Sequence, residues 1–217
     1  MKRAISLIIL GAVLSFTAIA GSYSDEKLSV DTDPLGNRWS IIASLGYTEY
    51  QKMYRHDGQT ALARLAFAAS FLATRQASFG FELGAQTGNR MRLAIPQGTL
   101  GLLGCAVRTT VRPMVDLLIT ANTTPINESL LYTQVKGGIA YRHWQINNIL
   151  LGDKSTIAGE VQAGIGYPIT EITNLNLLYQ GIFGGNPKFR ANPYGESGYI
   201  VNVPIQHGIL LGFSIVA

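Results

Sequence analysis

Cysteine, charge and long apolar runs are all scarce in this 217-residue chain, and each scarcity removes a class of protein. Cys105 is the only cysteine, so no intramolecular disulfide can form and a disulfide-stapled secreted domain is excluded. Cys105 itself reads as a small apolar residue in a loop. Charged residues are 14% of the chain against 47% hydrophobic, which is little charge for a soluble secreted domain. The basic residues never cluster, so nucleic acid is not an expected partner. His56, His143 and His207 lack metal-ligand spacing with other donors, and neither a metal nor a cofactor is expected. Beyond residue 20 no segment is apolar over the ~20 residues a spanning helix needs, so a helical membrane protein is excluded.

Glycine, by contrast, is plentiful, and the 24 glycines favour strands and close packing. The chain opens with the positive Met1-Lys2-Arg3, an apolar run from Ala4 to Phe16, and the small-x-small site Ala18-Ile19-Ala20. These are the three parts of a secretory signal peptide, expected over residues 1–20. Its removal leaves 15 basic residues against 13 acidic ones, a nearly neutral chain. Residues 21–38 are polar, with Asp25, Glu26, Asp31 and Asp33, and read as a periplasmic N-terminal segment. Residues 39–217 suffice for one domain.

That domain alternates. Trp39, Ile41, Ala43, Leu45 and Tyr47 are interleaved with Ser40, Ile42, Ser44, Gly46 and Thr48. Phe79, Phe81, Leu83 and Ala85 are interleaved with Ser78, Gly80, Glu82, Gly84 and Gln86. A period of two means extended strands with two different faces. The odd-numbered face is apolar and uncharged over strand-length runs; the even-numbered face is glycine, alanine, glutamine and isolated ions. Apolar outside and polar inside is the pattern of a membrane-spanning β-barrel.

Eight such stretches occur, near 39–48, 60–73, 77–87, 108–121, 130–142, 156–167, 174–183 and from the last loop to 217. Each approaches the 9–11 residues of a tilted membrane strand. Connections 49–59, 88–107, 143–155 and 184–198 are long and the others short, an asymmetry expected of extracellular loops and periplasmic turns. The predicted fold is all-β: an eight-stranded, up-and-down, antiparallel transmembrane barrel. Pro113 falls inside the fourth stretch, where a closed barrel has no free edge, so a bulge or a later strand start is expected there. Tyr47, Tyr141 and Phe183 are expected at the upper strand ends, and Trp39, Phe71, Phe79, Tyr167 and Phe213 at the lower ends, as two interfacial girdles. His207 has lipid-facing parity and is expected near the outer interface.

The signal peptide, the eight stretches and the closing segment Gln206-His207-Gly208-Ile209-Leu210-Leu211-Gly212-Phe213-Ser214-Ile215 resemble small outer-membrane β-barrels of the OmpA/opacity-protein type. Gly46-Tyr47-Thr48, Asp57-Gly58-Gln59-Thr60, Lys136-Gly137-Gly138-Ile139-Ala140-Tyr141-Arg142 and Tyr179-Gln180-Gly181-Ile182-Phe183-Gly184 are similar to uncharacterised members of that group. The resemblance covers the whole mature chain. It implies the outer membrane of a Gram-negative bacterium, with outer-membrane lipid, lipopolysaccharide and the barrel assembly machinery as partners. It leaves function open, because the fold carries adhesins, structural proteins, small transporters and lipid-modifying enzymes. Such chains commonly end in an aromatic residue that aids targeting. Here the last residue is Ala217, so either Phe213 substitutes or assembly is less efficient.

Even parity places Arg64, Glu82, Arg112, Asp116, Lys136, Arg142 and Glu160 in the lumen. An eight-stranded barrel is just wide enough for side chains to fill, so these charges should pair, with Arg64 and Glu82 a candidate pair. The expected result is a polar plug; a narrow ion path or gate is the alternative. Inward apolar residues Ile42, Leu62, Leu72, Met114, Leu118 and Leu178 are scattered in sequence, which argues against a continuous apolar trough. For catalysis, His56, His143, His207, Asp57, Asp153 and Ser155 are the candidates. His143 and Ser155 bracket the third long loop and could approach. The His-x-Ser spacing expected of lipid A deacylases is missing, however, and the chain is not expected to be an enzyme. The expected role is structural or surface-binding: loops such as Met53 to Gln59, and Gly185 to Gly198 with Lys188, Arg190, Tyr194 and Glu196, would contact a host or cell-surface ligand. Passage of small or hydrophobic solutes, in the manner of OmpW-like barrels, is the alternative. A lipid A-modifying hydrolase or acyltransferase comes third.

Overall fold

The computed structural model describes residues 39–50, 59–74, 76–92, 108–123, 130–146, 154–170, 172–184, 189–191, 198–200 and 205–216. The expected signal peptide, the segment 21–38, His56, Asp57, Cys105 and Asp153 lie outside them. Alternation produces strands throughout: β1 (Trp39–Tyr50), β2 (Thr60–Ala73), β3 (Ala77–Gln86), β4 (Asn89–Arg92), β5 (Arg108–Val111), β6 (Met114–Thr123), β7 (Tyr132–Ile146), β8 (Lys154–Pro168), β9 (Thr173–Phe183), β10 (Phe189–Ala191), β11 (Gly198–Ile200) and β12 (Gln206–Val216).

Eight of these close a barrel in the order β1-β2-β3-β6-β7-β8-β9-β12, with β12 pairing back onto β1 and every neighbour antiparallel. Followed strand to strand from Tyr50, the pairing runs through Gln206, Ile182, Glu160, Gly138, Leu118, Glu82 and Ala68 back to Ser40 on β1. The circuit therefore closes with a stagger of ten residues. With a rise of ~3.3 Å per residue and ~4.8 Å between strands, that stagger tilts the strands by about 40° from the axis.

The two faces separate cleanly. In β3 the burial alternates strictly from Gly80 to Gln86, and the outward Leu45, Leu65, Ile157 and Ile209 are 57–70% exposed. Large apolar side chains exposed on every barrel strand are intolerable in water, and together they form a belt for lipid. Trp39, Tyr47, Phe71, Tyr141, Tyr167, Phe183 and Phe213 stand exposed on this belt, and Phe79 is half-buried. The aromatics are not confined to strand ends. Phe67 and Phe81 stand further in, and pair with end residues as Trp39–Phe67 (4.9 Å between ring centres) and Phe71–Phe81 (4.8 Å).

Several strand bounds differ from the sequence reading. The fourth stretch is two strands, β5 and β6, with Arg112 and Pro113 in an exposed break between them. This is the later start that Pro113, which has no N–H to give a ladder, predicts. Part of the expected loop 88–107 is strand: β4 pairs with β5, and β5 pairs with β7, raising that wall above its neighbours. In the expected loop 184–198, β10 pairs with β11, which begins only at the loop's last residue, and the closing barrel strand starts at Gln206 rather than directly after the loop. The third long connection is shorter than expected, because β7 runs to Ile146 and β8 begins at Lys154.

Candidate functional site

Even parity on β2, β3, β6 and β7 brings four ions together inside the barrel. Arg64 Nη1 donates to Glu82 Oε1 at 2.6 Å, Lys136 Nζ donates to Glu82 Oε2 at 2.6 Å, and Arg64 Nε donates to Asp116 Oδ2 at 3.1 Å. Arg64 Nη2 and Asp116 Oδ1 make a second contact, so the guanidinium grips Asp116 with both prongs of its fork. Each of these four side chains is no more than 1% exposed. Arg64 and Glu82 are not directly opposite: Arg64 pairs with Gln86, and its side chain leans along the strand to reach Glu82. Glycine makes the room. A Cβ on Gly84 would collide with the Arg64 guanidinium and lie 2.6 Å from Asp116 Oδ1.

A glutamine relay runs alongside. Gln180 Nε2 lies 2.9 Å from Gln86 Oε1 and 2.6 Å from Glu160 Oε1, and Gln162 Nε2 donates to the same Glu160 oxygen at 2.7 Å. The sequence pattern puts glutamine on the inward face, but it pairs only the ions and does not reveal this relay. Gln86, Gln162 and Gln180 all have inward parity, which was the available signal. Arg142 stands higher, where Nη2 donates to Gly184 O at 2.6 Å and the guanidinium lies 5.3 Å from the centre of the Trp144 ring. Gly184 takes φ of 79°, a left-handed conformation that glycine adopts freely, and it ends β9 there.

Arg112 is not part of this network. It is exposed in the break before β6, where its Nε donates to Gln145 Oε1 at 3.4 Å. The two-residue break inverts parity: Val111 and Met114 both point inward, at 3% and 1% exposure, leaving Arg112 outside. Without it the described interior holds Arg64, Lys136 and Arg142 against Glu82, Asp116 and Glu160, an even balance of charge. Leu72 is likewise corrected. The β2–β3 register shifts between Ser70 and Leu72, turning both Phe71 and Leu72 outward, and Leu72 is 47% exposed.

The remaining inward apolar residues form no continuous trough. Met114 joins Ala140, Ala158 and Ile182 above the charged level, Leu62 joins Leu178 and Leu210 in a separate cluster, and the buried Ile42 and Leu118 belong to neither. A concavity of about 690 Å3 is lined by Ala43, Ala63 and Ala85 with Leu45, Leu65, Leu211 and Phe213, all of outward parity, so it opens mainly toward lipid.

Of the catalytic candidates, the structure joins two. His143 and Ser155 are direct cross-strand partners, with His143 Nδ1 2.9 Å from Ser155 Oγ, and Tyr141 Oη donates to the same hydroxyl at 2.8 Å. His207 lies across from Glu49 on β1 and against the Tyr179 ring. Among the described residues no cluster of three His, Cys, Asp or Glu side chains could hold a metal ion.

The outer membrane protein OprG from Pseudomonas aeruginosa superposes with a TM-score of 0.54, covering 83% of this chain and 97% of that one at 14% identity. The fold is that of a small outer-membrane β-barrel. Two further structures of the kind are similar to this barrel. Ail of Yersinia pestis gives a TM-score of 0.49 at 11% identity, covering 83% of this chain and 99% of that one, and was crystallised with the heparin analogue sucrose octasulfate. Outer Membrane Protein W of E. coli gives 0.47 at 14% identity, covering 82% and 97%. No protein-family model matches the chain, and no curated protein matches its sequence.

Proposed function

We propose that this outer-membrane barrel has a structural or surface-binding role, exercised by the segments that join its strands at the upper, extracellular end, and that it is not an enzyme. The observation that carries the reading is the packed interior. Trp144, Arg142, Lys136, Met114, Leu118, Ile182, Leu210, Gln162, Gln180 and Glu82 are all below 2% exposed, and they fill the middle and upper levels of the barrel. A lumen filled by interlocked side chains leaves the outer surface as the place where a partner can be met. Its expected partners are lipid, lipopolysaccharide and a host or cell-surface ligand.

Shortening residues 51–58 and 185–197 to tight turns tests this. The trimmed barrel should still fold, showing the usual heat-modifiable gel migration, while any adhesion or serum-survival phenotype is lost. Retention of the full phenotype by the trimmed barrel, together with its loss on a lumen substitution, would replace this reading by passage of small or hydrophobic solutes. The Leu62–Leu178–Leu210 cluster is the apolar surface such solutes would use.

A further inference from the structure

The break that expels Arg112 from the lumen also builds a basic, hydrogen-bonding patch on the outward face. Arg90 on β4 pairs with Thr110 on β5, and Thr110 pairs with Gln145 on β7. Arg112 comes two residues after Thr110. Its backbone N–H donates to His143 O at 2.9 Å and its side chain reaches Gln145. His143 then meets Ser155 on β8, and Tyr141 caps the Ser155 hydroxyl from below. Arg90, Arg112 and Ser155 are exposed, and His143 and Gln145 are half-exposed.

Below this row the same wall is purely apolar: Val115, Leu117, Ile139 and Ile157 are each between 46% and 64% exposed. The patch therefore sits where the lipid belt ends, at the level of the lipid headgroups. Among the described residues the acidic side chain outside the lumen is Glu49, and it lies on β1, which does not border these strands. Two arginines beside an amide, an imidazole and a hydroxyl at a headgroup boundary match one chemistry, a phosphate ester. Arginine binds phosphate through two parallel N–H groups, and Gln145, whose Oε1 accepts from Arg112, can donate from Nε2.

We propose that Arg90 and Arg112, with His143, Gln145 and Ser155, form a binding site for the phosphate groups of an outer-leaflet glycolipid. The site rests on the barrel's place in the outer membrane and not on the loop-binding role, so the two stand or fall separately. Each phosphate held there anchors the wall formed by β4 to β8 against the headgroups. The parity break at Arg112 and Pro113 is what turns a residue of inward parity into a lipid ligand.

The full-length protein in phosphatidylcholine nanodiscs, doped stepwise with bis-phosphorylated lipid A, tests the proposal through its thermal unfolding. A ligand that binds the folded barrel raises its melting temperature. The wild type should gain stability with bis-phosphorylated lipid A and none with the dephosphorylated lipid. Arg90→Ala/Arg112→Ala should match the wild type in pure phosphatidylcholine and show about tenfold weaker apparent affinity for lipid A. Should that variant fold poorly, Arg112→Gln alone is expected to show the same weakening in smaller degree, while Glu49→Ala leaves the affinity unchanged. Raised salt should weaken the response. Equal stabilisation of wild type and both arginine variants would overturn the proposal. So would equal stabilisation by the dephosphorylated lipid, or an equal effect of 10 mM-scale inorganic phosphate without lipid A, which would mark a site for free anions.

Discussion

Glu82 is the hinge of the interior ions, and replacing it with alanine separates a packed plug from an incidental contact. The carboxylate accepts from Arg64 and Lys136, each at 2.6 Å, with all three side chains no more than 1% exposed. On its removal Arg64 keeps both contacts to Asp116, whereas Lys136 loses its ion pair. An uncompensated buried charge costs about 3–5 kcal/mol, and the residual Arg64–Asp116 pair argues for the lower end, about 3 kcal/mol. With a urea dependence of about 2 kcal/mol per molar, the midpoint should fall by about 1.5 M. Unfolding in lipid vesicles can be followed by the fluorescence of Trp39, outside the barrel, and Trp144, inside it. Glu82→Gln keeps one acceptor and should lose roughly half as much, since hydrogen bonds to charged groups are worth about 1.5–3 kcal/mol. Glu82→Ala/Lys136→Met removes the stranded ammonium and should recover most of the loss. An unchanged midpoint for Glu82→Ala, or a double variant no more stable than the single one, would mean that the Glu82 ion pairs do not hold the barrel together.

Leu83 projects into the lipid belt at 55% exposure near the middle of β3, and Leu83→Arg should destabilise the barrel by about 2–4 kcal/mol, measured by the same titration. Ser155→Ala should leave the acylation pattern of lipid A unchanged in mass spectra of whole-cell extracts. A deacylated species that is present with the wild type and missing with Ser155→Ala would instead make the Ser155–His143 pair a nucleophile and base.

The fold was legible because a barrel wall repeats one rule. Odd residues out and even residues in places Arg64, Glu82, Asp116, Lys136, Arg142 and Glu160 inside without any knowledge of pairing. The rule is local, though, and one irregularity inverts everything beyond it. That is why Leu72, just past the shift at Phe71, and Arg112, in the break before β6, were placed on the wrong face. Pro113 announced the second irregularity; nothing in Ser70-Phe71-Leu72 announced the first. Contacts that depend on stagger were also out of reach. The grip of Arg64 on Asp116 and the relay from Gln86 through Gln180 to Glu160 join residues 52 and up to 94 positions apart, set by how the barrel closes. His143 and Ser155 were recognisable as approachable, but their 2.9 Å contact needed β7 and β8 to run past the expected loop boundaries.

A lumen sealed by its own side chains would leave the protein to act from its surface. Single-channel recording of the purified full-length protein in a planar bilayer tests this most directly. The interlocked Arg64–Asp116, Glu82–Lys136 and Glu160–Gln180 contacts predict a quiet trace, with no steady discrete openings at moderate voltage. Reproducible unitary openings in the wild type that change amplitude on Glu82→Ala would contradict it and make the lumen the working part of the molecule.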